Sequence, residues 1–166
     1  MKTTTRSNIY LPMAAMILTA TLAVPAAAQQ QVPFKGTMQA DEIHTHFPPT
    51  TALITGSGAG IATHVGKFSL TYVLTANLAA LTETGSATLI AANGDSIYTT
   101  IAGSGEPTDT PGVISITEIN TITGGTGRFA GAQGSFIVER LDYFLGVPIF
   151  TSGSFLGTIT SPGEAH

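Results

Sequence analysis

Alternation of apolar and polar residues between glycine-containing turns constrains the fold of this chain more than any other feature. Phe68, Leu70, Tyr72 and Leu74 occupy every second position of one segment, and similar alternation recurs along the chain. A period of two is typical of strands whose two faces meet different surroundings. Frequent Gly and Thr, and β-branched residues within the alanine-rich windows, argue against helices. The pattern therefore predicts an all-β chain.

Glycine-rich turns divide this pattern into seven or eight strands. We expect them at residues 32–40 with a continuation to 46, 60–78, 86–92, 96–102, 112–123, 128–141 and 149–160. The predicted connections are turns at 56–58, 93–94 and 124–127 and a polar loop at 103–111. Asn93-Gly94 between two alternating segments is a strong hairpin signal, and glycines inside strands fit the corners of a barrel. We predict an antiparallel up-and-down β-barrel of about eight strands, with a sandwich as the alternative.

The first 28 residues have the three-part layout of a secretory signal peptide. Lys2 and Arg6 give a positive start, residues 11–24 carry no charge, and the alanines at 26–28 provide a cleavage site. This uncharged stretch is shorter than the roughly 20 residues that a membrane-spanning helix needs. We therefore expect one domain at 29–166 that is secreted or periplasmic and does not insert into a membrane after cleavage.

Charge and cysteine content exclude several classes of function. Without the predicted signal peptide, four basic residues face ten acidic ones, a net charge of −6. Such a chain repels the phosphates of nucleic acid, so we expect no nucleic-acid partner. The chain has no cysteine, which excludes disulfides, thiol catalysis and thiolate metal sites.

Residues 124–136, GGTGRFAGAQGSF, resemble the G-G-T-G-x-F-x-x-A-x-G signature of the allene oxide cyclase and dirigent barrel superfamily. The detailed similarity covers about residues 112–160, including Gly153 and Gly157. The resemblance implies an eight-stranded barrel around a small hydrophobic ligand. For an enzyme it implies a cyclase or isomerase without a cofactor, which holds a flexible substrate in its reactive conformation. Glu118 cannot be matched to a catalytic position of the family, so no catalytic role is implied for it by the resemblance.

Two residues are candidates for catalysis. His64 has the same parity as Phe68 and Tyr72, so we expect it inside the barrel, as a general base or hydrogen-bond donor or as a core residue with satisfied ring nitrogens. Glu118 has the same parity as Ile116 and Ile122. It either lines a polar cavity or lies outside because a bulge flips the strand, since burying an unpaired carboxylate is costly.

Five residues with inward parity are candidates for ligand binding: Phe68, Tyr72, Asn120, Phe136 and Arg140. Arg140 could balance Glu118 inside the barrel, or it could form a surface ion pair with the nearby Glu139 and Asp142. The alternative is a non-catalytic carrier of a hydrophobic molecule, or a structural envelope protein whose barrel is filled completely by large side chains. A homo-oligomer is compatible with either interpretation.

His44 and His46 are two residues apart and would lie on one face of a strand. Such a pair can chelate a metal, as in cupin barrels, or be two exposed histidines at a strand end. No acidic residue follows until Glu83, so the histidines lack a converging set of carboxylates. We therefore predict no metal and no cofactor.

Overall fold

Eight antiparallel strands form a closed barrel in this computed structural model, which describes residues 30–160 and 162–163. The strands are β1 Gln31–Phe47, β2 Thr51–Ala62, β3 Gly66–Asn77, β4 Thr82–Ala91, β5 Ser96–Pro107, β6 Val113–Gly125, β7 Gly134–Tyr143 and β8 Ile149–Thr160. Each strand pairs with its neighbours in the chain, and β1 also pairs with β8. The predicted all-β barrel is confirmed.

The predicted signal peptide lies outside the described residues. Within the part of the chain that the structure describes, no helix is both long and apolar enough to cross a membrane.

The predicted long strand at 60–78 is wrong, because β2 ends at Ala62 and β3 begins at Gly66. His64 lies in the turn between them with φ 64°, and its side chain is exposed. Ala62 and Gly66 are register partners across this turn, so the same even-numbered positions point inward on both strands. The alternation therefore continues through the hairpin and hides it. The predicted place of His64 inside the barrel is wrong for this reason.

The predicted turn at 56–58 is also wrong, since these residues lie within β2. Gly56 and Gly60 are register partners of Tyr72 and Phe68 on β3. A Cβ atom on either glycine would overlap the aromatic ring of its partner. These glycines therefore provide space for large inward side chains on the next strand, rather than a change of chain direction.

The connections after β4 agree with the sequence more closely. β4 and β5 flank the predicted turn at Asn93-Gly94, which confirms that hairpin. The predicted polar loop is shorter than expected because β5 continues to Pro107. The predicted strand at 128–141 begins only at Gly134, because residues 127–129 form one turn of 3₁₀ helix.

The barrel interior is apolar at one end, which we call the closed end. Ring centroids of Phe34, Phe136 and Phe155 lie 5.0 to 5.2 Å apart, and Phe68 lies 6.3 Å from Phe155. Phe129, from the 3₁₀ turn of the GGTG segment, is only 1% exposed and adds to this core. The opposite end, where β1 ends and β2 begins, holds the polar residues described next and is called the open end.

Candidate functional site

Charged side chains occupy the barrel interior beyond the aromatic core. Arg140 on β7 is surrounded by carboxylates from three other strands: Glu42 on β1, Glu83 on β4 and Glu118 on β6. Each of these four residues is at most 7% exposed. Because buried charges are stable only when they are paired and hydrogen-bonded, the contacts of Arg140 determine whether this arrangement can exist. We call these four residues the polar cluster.

The guanidinium of Arg140 binds all three carboxylates directly. Its Nε donates to Oε1 of Glu118 at 2.8 Å, and its Nη2 donates to Oε1 of Glu83 at 3.1 Å. Its Nη1 donates to Oε1 of Glu42 at 3.0 Å and to Oγ1 of Thr151 at 3.1 Å. Of the two interpretations of Arg140 and of Glu118, the interior one is confirmed in each case. The surface ion pair of Arg140 is wrong.

Two inward glycines allow side chains from alternate strands to meet in this cluster. Gly103 on β5 is the register partner of both Glu83 and Glu118, and a Cβ atom there would lie 2.9 Å from Cγ of Glu118. Gly56 has the same position between Glu42 and Tyr72, and the Tyr72 hydroxyl donates to Oε1 of Glu42. The cluster therefore depends on glycine at these two positions.

The pKa values of two carboxyls in the cluster are shifted in opposite directions. The pKa of Glu83 is raised to about 8: burial is the largest cause and the adjacent Glu118 adds to it, while the charge of Arg140 opposes both. Burial also raises the pKa of Glu42, but hydrogen bonds from His44 and Tyr72 and the charge of Arg140 outweigh it and lower that pKa below its ordinary value. Glu83 is therefore a neutral acid near pH 7, beside an ionised Glu42.

Asp142 and His44 extend the polar region toward the open end. Nε2 of His44 lies 2.6 Å from Oε2 of Glu42. Asp142 is 5% exposed, and burial together with the charge of Glu42 raises its pKa to about 6. Its Oδ1 is buried and has no hydrogen-bond partner. A buried polar atom without a partner is unusual enough to need an explanation.

A cavity of about 320 Å³ opens at this end of the barrel. Glu83, Asp142 and His44 line it, and Glu83 connects it to Arg140. Its apolar lining comprises Ile54, Ala76, Leu78, Leu81, Ile114, Ile116, Phe144 and Ile149. Mostly apolar walls with a few converging polar groups are typical of small-molecule sites.

The residues predicted to bind ligand are brought together, but not in this cavity. Phe68, Tyr72, Glu118, Asn120, Phe136 and Arg140 line an inner void of about 30 Å³. That volume is about the share of one water molecule in the liquid, so the void is too small for a ligand. Contact of these residues with a ligand stays a prediction. His64, predicted as a catalytic residue, lines neither this void nor the open-end cavity.

The sequence did not predict Glu42, Glu83 and Asp142 as site residues, nor the role of His44 beside them. A signal existed for Glu83, which has the inward parity of Ala87 and Leu89 on β4. Asp142 likewise has the parity of Arg140. Parity does not give the register between strands. It is this register that brings the polar residues of β1, β4, β6 and β7 to the same height along the barrel axis.

A wider depression of about 900 Å³ lies on the outer surface of the barrel. Exposed or half-buried residues such as Gln39, Ile61 and Leu141 line it together with the buried Arg140. No buried carboxyl lines this depression, whereas the buried carboxyls of Glu83 and Asp142 both line the smaller cavity. We therefore take the smaller cavity as the candidate site.

No protein-family model and no curated protein matches this chain. Among solved structures, the chain is similar to the pterocarpan synthase dirigent protein GePTS1, with a TM-score of 0.55 and 11% sequence identity. The match covers 86% of this chain and 99% of that chain. At this identity the similarity shows the fold, which is a dirigent-like barrel. The likeness to allene oxide cyclases in particular stays a prediction.

Proposed function

We propose that this chain is an exported protein that binds a small, mainly hydrophobic molecule in the open-end cavity. We further propose that Glu83 acts there as a general acid in a cyclisation or isomerisation without a cofactor. One observation supports this above the others: the buried carboxyl of Glu83 lines a cavity with apolar walls, and that burial raises its pKa. The cavity volume of about 320 Å³ is within the range of known ligand sites and favours a small ligand.

The acid role follows from the surroundings of Glu83. A carboxyl with a pKa near the working pH is an efficient proton donor. In the proposed step, Glu83 gives its proton to an oxygen atom of the bound substrate, and Arg140 stabilises the resulting carboxylate through the contact of Nη2 with Oε1. The same carboxylate recovers a proton when the product forms, so no other reactant is needed.

The fold gives limited support to this function. The similar solved structure is described as a pterocarpan synthase dirigent protein, and a barrel of this kind suits the binding and direction of a small molecule. A fold alone does not determine chemistry, so the proposal depends mainly on the cavity and Glu83.

The alternative is a carrier or structural protein without catalytic activity. The aromatic core and the inner void of about 30 Å³ favour this alternative, because most of the barrel interior is filled. A carrier would use the same cavity but would not need the proton of Glu83. The two functions therefore differ in what a Glu83→Gln substitution does.

Binding is tested with the neutral fluorescent probe N-phenyl-1-naphthylamine. Leu78 lines the cavity and is 42% exposed, so Leu78→Trp should obstruct the opening and weaken probe binding. Ile43 is 69% exposed and does not line the cavity, so Ile43→Trp is the matched control and should bind as the parent does. Absence of probe binding, or equal weakening by both variants, would contradict a ligand site in the cavity.

Catalysis is tested by incubation with apolar enones and epoxides and by chromatography with mass detection. A cyclisation or isomerisation gives a product of unchanged mass and new retention time. Glu83→Gln should keep probe binding and lose turnover. Probe binding without turnover by the parent protein would favour the carrier. Export is tested separately by mass determination of the extracytoplasmic protein, which should begin at residue 29.

A further inference from the structure

We propose that Glu42, His44 and Asp142 bind one divalent transition-metal ion, such as Zn²⁺, at the inner side of the open-end cavity. Each of the three residues offers one ligand atom, and these atoms all lie within 4.8 Å of one another. Small side-chain adjustments would bring them to the distances of about 2.0 to 2.2 Å that Zn²⁺ has to nitrogen and carboxylate oxygen.

The unpartnered oxygen of Asp142 is the second observation that points to a cation. Asp142 is 95% buried, as its 5% exposure shows. Its Oδ1 is the one buried side-chain polar atom without a hydrogen-bond partner among the described residues. A buried acceptor without a partner loses its hydration without compensation, and a bound cation would provide that compensation.

Glu42 is oriented so that one of its oxygens is available to a metal. Its Oε1 accepts hydrogen bonds from Tyr72 and Arg140, whereas its Oε2 lies 2.6 Å from Nε2 of His44. Partners that fix the orientation of a ligating carboxylate are a regular part of metal sites. A cation would replace this contact: Oε2 and Nε2 would move apart and each would ligate the ion, because two atoms 2.6 Å apart leave no room for an ion between them. His44 would then ligate the ion through its unprotonated Nε2.

The donor set and its charge suit a first-row divalent ion. One imidazole nitrogen and two carboxylate oxygens are ligands that Zn²⁺ accepts. His44 and Asp142 also line the cavity, so a fourth position is accessible to water or to a ligand. Four buried carboxyls face a single buried guanidinium in this region, and a divalent cation would offset part of the excess negative charge.

The site differs from the metal site considered in the sequence analysis. His46 is exposed and is not in the group, so the pair His44 and His46 does not form the chelate. The prediction of no metal rested on the lack of converging carboxylates. That premise is wrong, because the fold brings Glu42 and Asp142 to His44.

This proposal does not depend on the acid role of Glu83, since metal binding is measured without any cavity ligand. The full chain is stripped with EDTA, dialysed and titrated with Zn²⁺ by calorimetry, and Co²⁺ is added separately to record the visible absorption of a protein-bound ion. We expect one equivalent to bind. Loss of even an outer partner of a metal ligand weakens affinity by about tenfold or more, so Asp142→Asn and His44→Gln should each weaken binding at least that much.

Two control variants make the test specific. Glu83→Gln removes another buried carboxyl that lines the same cavity, and His46→Gln removes the other histidine there. Both should change the dissociation constant less than about threefold, or 0.7 kcal/mol. Circular dichroism checks the fold of each variant, and His44→Gln decides alone if Asp142→Asn does not fold. No binding by the parent, or equal weakening by ligand and control variants, would overturn the proposal.

Discussion

Replacing Glu83 by Gln should remove a pH-dependent cost that the folded protein carries at this position. The side chain is 7% exposed, and burial raises its pKa from 4.5 to about 8. The folded state therefore holds this proton over a pH range in which the unfolded chain has released it. Stability must then fall as the pH rises from about 4.5 to about 8, and its full contribution is present only below 4.5.

The magnitude follows from one proton. The difference in bound protons gives a slope of up to about 1.4 kcal/mol per pH unit between the two pKa values, and several kcal/mol over the whole range. Gln has the shape of the protonated acid, and its Oε1 can still accept from Nη2 of Arg140. We therefore expect Glu83→Gln to match the parent near pH 5 and to be more stable than the parent at pH 8.

The assay is urea-induced unfolding of the metal-free proteins at pH 5, 6.5 and 8. The measured quantity is the difference in unfolding free energy between variant and parent at each pH. Glu106→Gln is the control for the loss of a carboxyl that lies outside the barrel interior, because Glu106 is exposed at the end of β5. A difference for Glu83→Gln that does not change with pH would refute the inferred raised pKa.

Three further predictions concern the rest of the barrel. Arg140→Met leaves the buried side chains of Glu42, Glu83 and Glu118 without their shared partner and should cost about 3 kcal/mol or more of unfolding free energy. The control Arg128→Met, at a partly exposed residue 3.5 Å from Asp95, should cost less than about 1 kcal/mol. Equal losses in urea unfolding would contradict the cluster. Phe155→Ala should cost about 3–5 kcal/mol of unfolding free energy. It should leave probe binding unchanged, because Phe155 lies at the closed end, away from the open-end cavity. Weakened probe binding by a folded variant would contradict the separation of the aromatic core from the cavity. His64→Asn should change the unfolding free energy by less than about 0.5 kcal/mol and leave probe binding unchanged. Asn tolerates the positive φ of this exposed turn. A large change in stability or in probe binding would support a role for His64 inside the barrel.

The sequence predicted the strands of this barrel better than its turns. Alternation correctly places Phe68, Leu70 and Tyr72 inside, because only one face of a strand can be buried in a barrel. The turn at His64 was not predicted, because Ala62 and Gly66 pair across it and both have even numbers. The alternation of inward and outward residues therefore continues through the turn without interruption. The turn predicted at 124–127 begins later than expected, because β6 continues to Gly125. The 3₁₀ helix at Gly127–Phe129 then delays the start of β7.

The polar cluster could be predicted only in part. Parity indicated that Glu118 and Arg140 could meet, and the structure confirms it. Glu42 is 98 residues from Arg140 in the sequence, and their contact depends on how β1, β8 and β7 align. Alternation within one strand contains no information on the alignment of two strands. The open-end cavity was not predicted either, because its lining comes from several strand ends and connections whose alignment the sequence does not give.

Because β1 pairs with both β2 and β8, the ring of strands leaves no row of backbone groups open to another chain. Strand addition, the usual route by which β-rich proteins template fibrils, is therefore closed to the eight described strands while the barrel stays folded. Outward apolar residues remain, among them Ile43 at 69% and Leu156 at 65% exposure. Association of folded copies through the described strands must then join the outer faces of barrels through side chains. Substitutions there would change assembly without altering the hydrogen bonds of the sheet.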